Sequence, residues 1–350
     1  MMSLIKNLNI KKHFVLSFII AGIILIFCSS GFCQEQSSRV FIDQKGNEVA
    51  VPEKVARVVT PYPIATNIIY TIGGQKKLVG IDDNSPGDVW LQRIDPDIGE
   101  ITKVGMPWSI NIEEVISLNP DIVIGVSGEV SDKLREIGIP VIELDLGSGS
   151  DLESAIRLIG GCLGLEERAN DLASFYQDKM DLIKEQVQSI SENQKVRVMN
   201  VGRDSIYTAA IGGCYQDRLI NSGGGVNVAG DLVGEGWFTQ VSIEQILNWN
   251  PQVIFVPPYL REGSLEDIMN DAKWQSIEAV KTKRVFTVPK GVATWDTPEP
   301  ESFLAPIWMA QIFYPDRFEN IDIKQEIKSF YNKYYELNIS DEEIEQILNP

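Results

Sequence analysis

The pattern of hydrophobic and polar positions repeats in two stretches of the chain, residues 110–125 and 241–256. Each stretch begins with a helix N-cap signal, Asn111 in the first and Ser242 in the second, with Glu or Gln three residues later. Apolar residues follow, and an Asn-Pro pair then ends the helix because proline cannot continue it. The apolar run after the proline is typical of a buried parallel strand. The repeated unit is therefore a helix, a stop and a strand.

The two copies are too far apart for a solenoid array, whose repeats have periods of about 20 to 50 residues. Their separation fits two similar lobes instead. A chain of 350 residues also exceeds the size at which one hydrophobic core usually suffices. We therefore predict an α/β fold with two Rossmann-like lobes, each built on a parallel sheet.

The prediction gives each part of the chain a separate role. An N-terminal lobe spans residues 38–150, a backbone helix region spans 151–191, and a C-terminal lobe with a helical tail spans 192–350. The middle region has no strand signal, and its residues 166–190 predict a helix of roughly 37 Å at 1.5 Å per residue. A helix of that length is a rigid spine between the lobes, so we expect the lobes to close by only a few degrees when a ligand binds.

Shorter elements are predicted in both lobes. A hairpin is expected at residues 40–51, and residues 82–107 show no clear period and are predicted to form a long loop, a kind of segment that is often functional. The other predicted strands are 56–60, 78–81, 122–126, 140–144, 196–201, 253–256 and 284–288. The other predicted helices are 64–72, 131–137, 215–220, 301–313, 324–336 and 341–348.

The first 33 residues have the features of an export signal, because three lysines precede an apolar run and a patch of small residues. The apolar run is at the short end for a transmembrane span, which favours cleavage. Cys33 or Cys28 could become a lipidated N-terminus. Phenylalanine precedes both, however, where lipoprotein signals usually have a small residue, so the sequence leaves open a lipoprotein signal or a simple export signal.

Charge and cysteine content narrow the function. Without the signal the chain has 28 basic residues against 49 acidic ones, and a field of this sign disfavours nucleic acid as a partner. The only histidine, His13, lies in the signal. A bare transition-metal site usually draws on imidazole, so we predict no such site, and no resident cofactor. Cys162 and Cys214 could form a disulfide or remain free, and their spacing does not decide between these states.

Candidate ligand contacts come from the predicted cleft between the lobes, at the carboxyl ends of the strands. Aromatic residues dominate there and also stand just ahead of each repeated stretch, which favours a planar or bulky ligand. The predicted set is Tyr62, Trp108, Arg203, Tyr215, Trp237, Phe238, Tyr259 and Trp295. The Ser222 to Gly225 run lacks the strand-to-helix context of a phosphate-binding loop.

Two glutamates occupy equivalent places in the two repeated helices, Glu113 and Glu244. We expect the apolar faces of the helices to point inward, with Ile116 and Leu247 among them, and the glutamates to point to solvent. An acidic residue in a first turn also complements the helix dipole, which would explain either glutamate alone. Two exposed carboxylates at equivalent points would suit a partner with two-fold symmetry.

These paired phrases, together with the hairpin and the spine, resemble the extracytoplasmic substrate-binding proteins of ABC importers for ferric siderophores, haem and vitamin B12. The resemblance covers roughly residues 38–335. It implies a receptor on the outer side of the cytoplasmic membrane or in the periplasm that delivers a metal chelate to a dimeric permease with its ATPase. It also implies that Glu113 and Glu244 dock onto arginines of that permease. The Thr-Pro-Glu-Pro after Asp296 departs from the family pattern, which leaves the chelate open.

Two other classes of protein remain as alternatives. A secreted two-lobed α/β enzyme acting on a sugar or a metal chelate would need an acid or a base in the cleft, and Glu129 and Asp296 are the candidates. Against it, the exported chain has no histidine and no nucleophile elbow. An adhesion or scaffold module would leave an aromatic cleft without a use. We therefore predict a binding protein without catalytic activity.

Overall fold

A computed structural model describes residues 37–146 and 152–350. A hairpin of β1 (Ser38–Ile42) and β2 (Glu48–Pro52) comes first. Five strands then form a sheet, namely β3 (Val58–Thr60), β4 (Leu78–Ile81), β5 (Thr102–Lys103), β6 (Ile122–Ile124) and β7 (Val141–Ile142). Their order is β5-β4-β3-β6-β7, and every neighbouring pair is parallel.

The second half of the chain forms a parallel sheet of its own. Its strands are β8 (Arg197–Asn200), β10 (Val226–Asn227), β12 (Val253–Val256) and β13 (Val285–Thr287). The order is β10-β8-β12-β13. A separate antiparallel pair consists of β9 (Thr208–Ala210) and β11 (Phe238–Gln240). The predicted fold class, two α/β lobes with parallel sheets, is confirmed.

Helices connect the strands of both sheets. In the first half they are α1 (Pro63–Thr71), α2 (Val89–Ile94), α3 (Ile112–Ser117) and α4 (Glu129–Glu136). The middle of the chain contributes α5 (Leu152–Leu163) and α6 (Glu166–Val187). In the second half they are α7 (Tyr215–Ser222), α8 (Ile243–Trp249), α9 (Leu265–Asn270), α10 (Glu278–Lys281), α11 (Ala305–Phe313), α12 (Ile323–Tyr335) and α13 (Asp341–Leu348).

The repeated stretches form the predicted helix, stop and strand in both halves. The side chain of Asn111 accepts a 3.2 Å hydrogen bond from the backbone N–H of Glu114, and Ser242 caps α8 in the same way. Each helix is followed by an asparagine in the left-handed region, Asn119 at φ 43° and Asn250 at φ 45°. Asparagine tolerates this conformation better than most residues. In both halves, the chain therefore turns back toward its sheet at the same point of the repeat.

In each half, an arginine at the start of a strand donates hydrogen bonds to the backbone of this turn. The sequence pattern did not predict these contacts. The guanidinium of Arg57, just before β3, donates to the carbonyl oxygen of Leu118. The guanidinium of Arg197, at the start of β8, donates to the carbonyl oxygen of Asn250 over 3.0 Å. These carbonyl groups at a helix end have no partner inside the helix, so a cation there is favourable. The two halves of the chain therefore share this arginine contact in addition to the repeated sequence pattern.

A shared hydrophobic core crosses the middle of the molecule. One buried cluster includes Ile68 of α1, Ile156 of α5 and Phe255 of β12, so it reaches from the first half to the second. The long helix α6 contributes Leu172 to this cluster. Residues 39–350 accordingly form one compact unit. A continuous core resists separation of the lobes. The small closure on ligand binding and the boundaries of the lobes stay predictions.

Several predicted details are wrong. The segment 82–107 is not a continuous loop, because it contains α2, β5 and short 3-10 turns. Asp88 starts α2 by accepting from the backbone N–H groups of Trp90 and Leu91. The long helix ends at Val187 instead of residue 190. The strands β9, β10 and β11 have three residues or fewer, which is too short for an alternating pattern to be visible.

Two apolar side chains also lie on a different side of their helices than predicted. Ile116 and Leu247 are exposed, while Val115 and Ile246 are buried. The predicted export signal, with Cys28 and Cys33, lies outside the described residues. None of the helices within the described ranges is both long and apolar enough to cross a membrane.

Candidate functional site

A cavity of about 370 Å³ opens where the strands of the second sheet end. Arg203 follows β8, Tyr259 follows β12, and Trp237 and Phe238 come from the start of β11; all four line the cavity. Because β8 and β12 are parallel neighbours, their carboxyl ends meet at one edge of the sheet. Sequence reasoning placed these four residues at a ligand site, and the structure brings them together.

The aromatic wall depends on a glycine. A Cβ atom at Gly202 would lie 2.7 Å from Cγ of Phe238, so only glycine lets the ring approach the end of β8 this closely. Tyr259 is fixed at its hydroxyl, which shares a 2.7 Å hydrogen bond with Oγ1 of Thr294. Burial raises the pKa of Tyr259 to about 12, with a further contribution from the Asp296 carboxyl group. The phenol therefore stays neutral and can donate or accept a hydrogen bond.

Arg203 stands at the mouth of this cavity. Its side chain is 60% exposed, and its only ion pair among the described residues is a long one, 4.0 Å from Nε to Oδ1 of Asp204. Arg261 makes the closer contact to the same carboxylate oxygen, at 3.0 Å. The guanidinium of Arg203 is thus available to an anionic or oxygen-rich part of a ligand.

Gln216 and Asp296 also line the cavity, and sequence reasoning did not place them among the ligand contacts. Asp296 entered only as a possible acid of an enzyme, and Gln216 carries no signal that separates it from other polar residues of α7. Both side chains are almost completely buried. Burial raises the pKa of Asp296, while hydrogen bonds from Thr294 and Asn200 act in the opposite direction.

The remaining predicted contacts lie elsewhere. The structure does not bring Tyr215 and Trp295 to the cavity, because both rings are buried in the core, and their role as ligand contacts stays a prediction. The Tyr215 hydroxyl is paired with Oγ of Ser302 at 2.6 Å, and the Trp295 ring packs edge-on against Trp308. Both were chosen from their places beside loops. Full burial of a large aromatic ring stabilises the fold more than a position in a partly open wall does, which explains why both rings lie in the core.

Two aromatics of the first half stand apart from this cavity. Trp108 is 78% exposed. Tyr62 is half-buried at the N-terminus of α1 and packs against Gly125, where a Cβ would lie 2.6 Å from the Cβ of the tyrosine. Burial raises the pKa of Tyr62 well above its usual value. Neither residue belongs to the cavity of the second half.

The two acidic residues that the sequence offered to an enzyme, Glu129 and Asp296, are not brought together in this cavity. Glu129 is exposed and lies outside the cavity that contains Asp296, so the two carboxylates do not act as a pair there. Within the described ranges, no cluster of three or more His, Cys, Asp or Glu side chains is arranged to hold a metal ion.

Two α/β lobes and an aromatic cavity at the strand ends define a class of protein, the solute-binding receptors.

The chain belongs to the periplasmic binding protein family, whose sequence model matches residues 58–292. It is 27% identical to the molybdate-binding protein MolA of Haemophilus influenzae over 85% of this chain and 91% of that protein. It is 26% identical to the vitamin B12-binding protein of Vibrio parahaemolyticus over 67% of this chain and 82% of that protein. It is a substrate-binding protein of the ABC-transporter type and not an enzyme.

A solved structure supports the same assignment. The periplasmic solute binding protein from Veillonella parvula has a TM-score of 0.77 and 31% sequence identity to this chain. The match covers 89% of this chain and 97% of that one. These similar proteins are all named as binding proteins, which argues against the alternative of a secreted enzyme.

Proposed function

We propose that this receptor captures a chelated metal, such as a ferric siderophore, haem or cobalamin, between its two lobes and delivers it to an ABC permease. The observation that carries the proposal is the aromatic wall of the cavity, formed by Trp237, Phe238 and Tyr259, with Arg203 at its mouth. Aromatic faces suit the flat or apolar surfaces of a chelate, and the guanidinium suits its carboxylate or chelating oxygens.

A bare oxyanion such as molybdate is the second candidate. The relative from H. influenzae is named for molybdate binding, and an exposed arginine at the mouth of the cavity would attract an oxyanion. Against this candidate, the walls of the cavity are aromatic and its buried floor contains a carboxyl group, which repels an anion when it is ionised.

Titration of the purified protein followed by tryptophan fluorescence tests both ligand classes. The probes are haem, cyanocobalamin, ferrioxamine B, ferric enterobactin and molybdate. We expect saturable quenching by at least one chelate, without chemical change of that chelate. Trp237→Ala should weaken this binding, whereas Trp90→Phe, on α2 and outside the cavity, should not. A response to molybdate alone would show that the ligand is an oxyanion and not a chelate.

Delivery requires a permease, and we propose that Glu113 and Glu244 contact it. Both side chains are exposed at the second position of equivalent helices, α3 and α8. The backbone N–H of Glu244 and the hydroxyl of Ser242 lower the pKa of the Glu244 carboxyl group, which therefore stays negative at neutral pH. Two such charges suit a dimeric permease, with its ATPase, that presents arginines in symmetric sockets.

The place of action is proposed as the periplasm or the outer face of the cytoplasmic membrane. The support is the N-terminal pattern of residues 1–33 and the membership of the periplasmic binding protein family. Attachment by a lipid on Cys33 or Cys28 stays a prediction. Mass spectrometry of the mature N-terminus tests it, because a lipid adds a large mass to the first cysteine and simple cleavage does not.

A further inference from the structure

Two residues that line the inner end of the cavity, called its floor below, each have a buried oxygen atom without a hydrogen-bond partner among the described residues. Gln216 is 1% exposed and Asp296 is 3% exposed, and both residues line the cavity. Oε1 of Gln216 and Oδ1 of Asp296 each lack a partner within the described part of the chain. Buried polar atoms are almost always paired in folded proteins, because an unpaired one costs free energy. The two residues therefore bring two unpaired acceptors to one wall of the cavity.

The orientation of the Gln216 amide is fixed by its surroundings. Its Nε2 donates a 2.7 Å hydrogen bond to the backbone carbonyl oxygen of Asp296. If the amide were turned over, two carbonyl oxygens would face each other, and that contact is repulsive. Oε1 is consequently the atom left without a partner, and it can only accept hydrogen bonds. This property is independent of pH because the amide does not titrate.

The helix that carries Gln216 holds it rigidly. Gln216 is the second residue of α7, and its neighbour Tyr215 is anchored in the core by Ser302. Asp296 lies beside Trp295, which is also fully buried. Side chains locked in this way cannot turn toward solvent to find a partner, so a ligand meets them in a fixed geometry.

The cavity therefore differs in chemistry from its mouth to its floor. Arg203 supplies hydrogen-bond donors and positive charge at the mouth, and aromatic rings form the wall. Gln216 supplies an acceptor at the floor whatever the protonation state of Asp296. An ionised Asp296 adds further acceptors and a negative charge.

We propose that Gln216 and Asp296 recognise a hydrogen-bond donor, a hydroxyl, amine or amide N–H group, on the periphery of the bound chelate. This inference rests on the proposed function and names the part of the ligand that determines specificity. A donor group satisfies the floor, whereas an ester or ether of the same shape leaves it unpaired. A fully deprotonated tetrahedral oxyanion offers only acceptors and does not suit the floor.

Pairs of chelates that share a metal-binding core and differ in their peripheral donor groups test the inference. The first pair is dicyanocobinamide, which has carboxamide groups, and heptamethyl dicyanocobyrinate, in which methyl esters replace them. The second pair is ferrioxamine B, which has a terminal ammonium group, and its N-trimethyl derivative, which keeps the charge and the amide N–H groups and loses only the ammonium N–H groups. Dissociation constants are measured by tryptophan fluorescence for the wild-type protein and its variants, with molybdate as a further probe.

We expect the donor-bearing member of the pair that binds to bind roughly tenfold tighter or more, because an unpaired buried acceptor is costly. Gln216→Met should reduce this preference, while Trp237→Ala should weaken both members equally. Asp296→Leu, which has no acceptor, provides a second test of the floor if Gln216→Met does not fold, and it too should reduce the preference. Melting temperatures of the variants identify any loss of folding.

Three results would overturn the inference. Equal binding of both members by the wild-type protein would do so while leaving the proposed function in place. Molybdate binding that Gln216→Met weakens would show that the floor accepts an oxyanion. If no chelate changes the fluorescence or the melting temperature, the proposed function fails, and the inference fails with it.

Discussion

The side-chain amide of Asn67 donates a buried hydrogen bond of 3.0 Å to Oε2 of Glu299. Asn67 belongs to α1 in the first half, and Glu299 precedes α11 in the second half, so the bond joins the two halves of the chain. Oδ1 of Asn67 has no partner among the described residues. A protonated Glu299 would have an O–H group to offer to it, which an ionised one lacks.

This carboxyl group should make the stability of the protein depend on pH. Burial, together with the nearby carboxyl groups of Glu301, Asp82 and Asp88, raises the pKa of Glu299 to about 8. Between its ordinary pKa and this value the unfolded chain has lost the proton and the folded chain retains it. The free energy of unfolding therefore falls as pH rises through this window, by up to a few kcal/mol.

Glu299→Gln should remove this contribution, because glutamine keeps the shape and the hydrogen-bonding groups of a neutral carboxyl group. We expect the variant to gain stability over the wild type as pH rises from about 5 to 8. Urea unfolding at several pH values measures the difference. Glu136→Gln, at an exposed site, is the matched control and should follow the wild type. An unchanged slope in Glu299→Gln would show that Glu299 is ionised in the folded protein.

A glycine close to this region should not tolerate a side chain. A Cβ at Gly291 would lie nearer than 3.0 Å to both the Tyr331 hydroxyl and Oε1 of Glu301, which are hydrogen-bonded to each other. Both of these side chains are buried and cannot move aside. Gly291→Ala should cost about 1–3 kcal/mol of unfolding free energy, measured by urea denaturation.

Gly99→Ala is the control for this change, because a Cβ at Gly99 would have no neighbour within 4 Å. It should alter the unfolding free energy by less than about 0.5 kcal/mol. If Gly291→Ala is as stable as this control, the packing around Tyr331 must be looser than the structure indicates.

The sequence predicted those parts of the fold that depend on local pattern. The caps at Asn111 and Ser242 and the long helix are visible in a single stretch of residues, and the structure has them. The clamps by Arg57 and Arg197 were not predictable, because each joins residues more than 50 positions apart and a lone arginine in a sequence has no partner. Sheet order is hidden for the same reason.

The candidate site was predictable only in part. Strand ends are local features, so Arg203 and Tyr259 could be found from the pattern of the preceding strands. Whether an aromatic ring near a loop lines a cavity or fills the core depends on packing from distant elements, such as that of Trp308 against Trp295, which a local pattern does not show. Gln216 could not be found, because its role follows from one hydrogen bond to residue 296.

The two cysteines of the described region should behave as buried thiols. Cys162 and Cys214 are both free and both buried, so the structure answers the question of a disulfide between them that the sequence left open. Burial raises the pKa of the Cys162 thiol to about 12 and also raises that of Cys214, and the thiolate is the reactive form. We expect very slow reaction with a thiol reagent in the native protein.

Both thiols should react at once in concentrated guanidinium chloride without a reductant. The experiment uses a variant in which serine replaces Cys28 and Cys33, so that only Cys162 and Cys214 contribute to the number of reactive thiols. Absorbance of the released thiolate from Ellman's reagent gives the number of thiols. If the thiols appear only after a reductant is added, Cys162 and Cys214 form a disulfide in solution.

The proposed contacts with the permease predict a separation of transport from ligand binding. Replacing both Glu113 and Glu244 by alanine should lower ATP-dependent uptake into proteoliposomes by more than about tenfold, because two arginine sockets would lose their partners. The affinity for the chelate should stay unchanged, since both glutamates are exposed and lie outside the cavity. The double variant Glu136→Ala and Glu266→Ala makes the same change of net charge at other exposed helix positions and should transport normally. Equal uptake by the two double variants would show that Glu113 and Glu244 do not contact the permease. Their role would then be limited to a favourable interaction with the helix dipoles of α3 and α8.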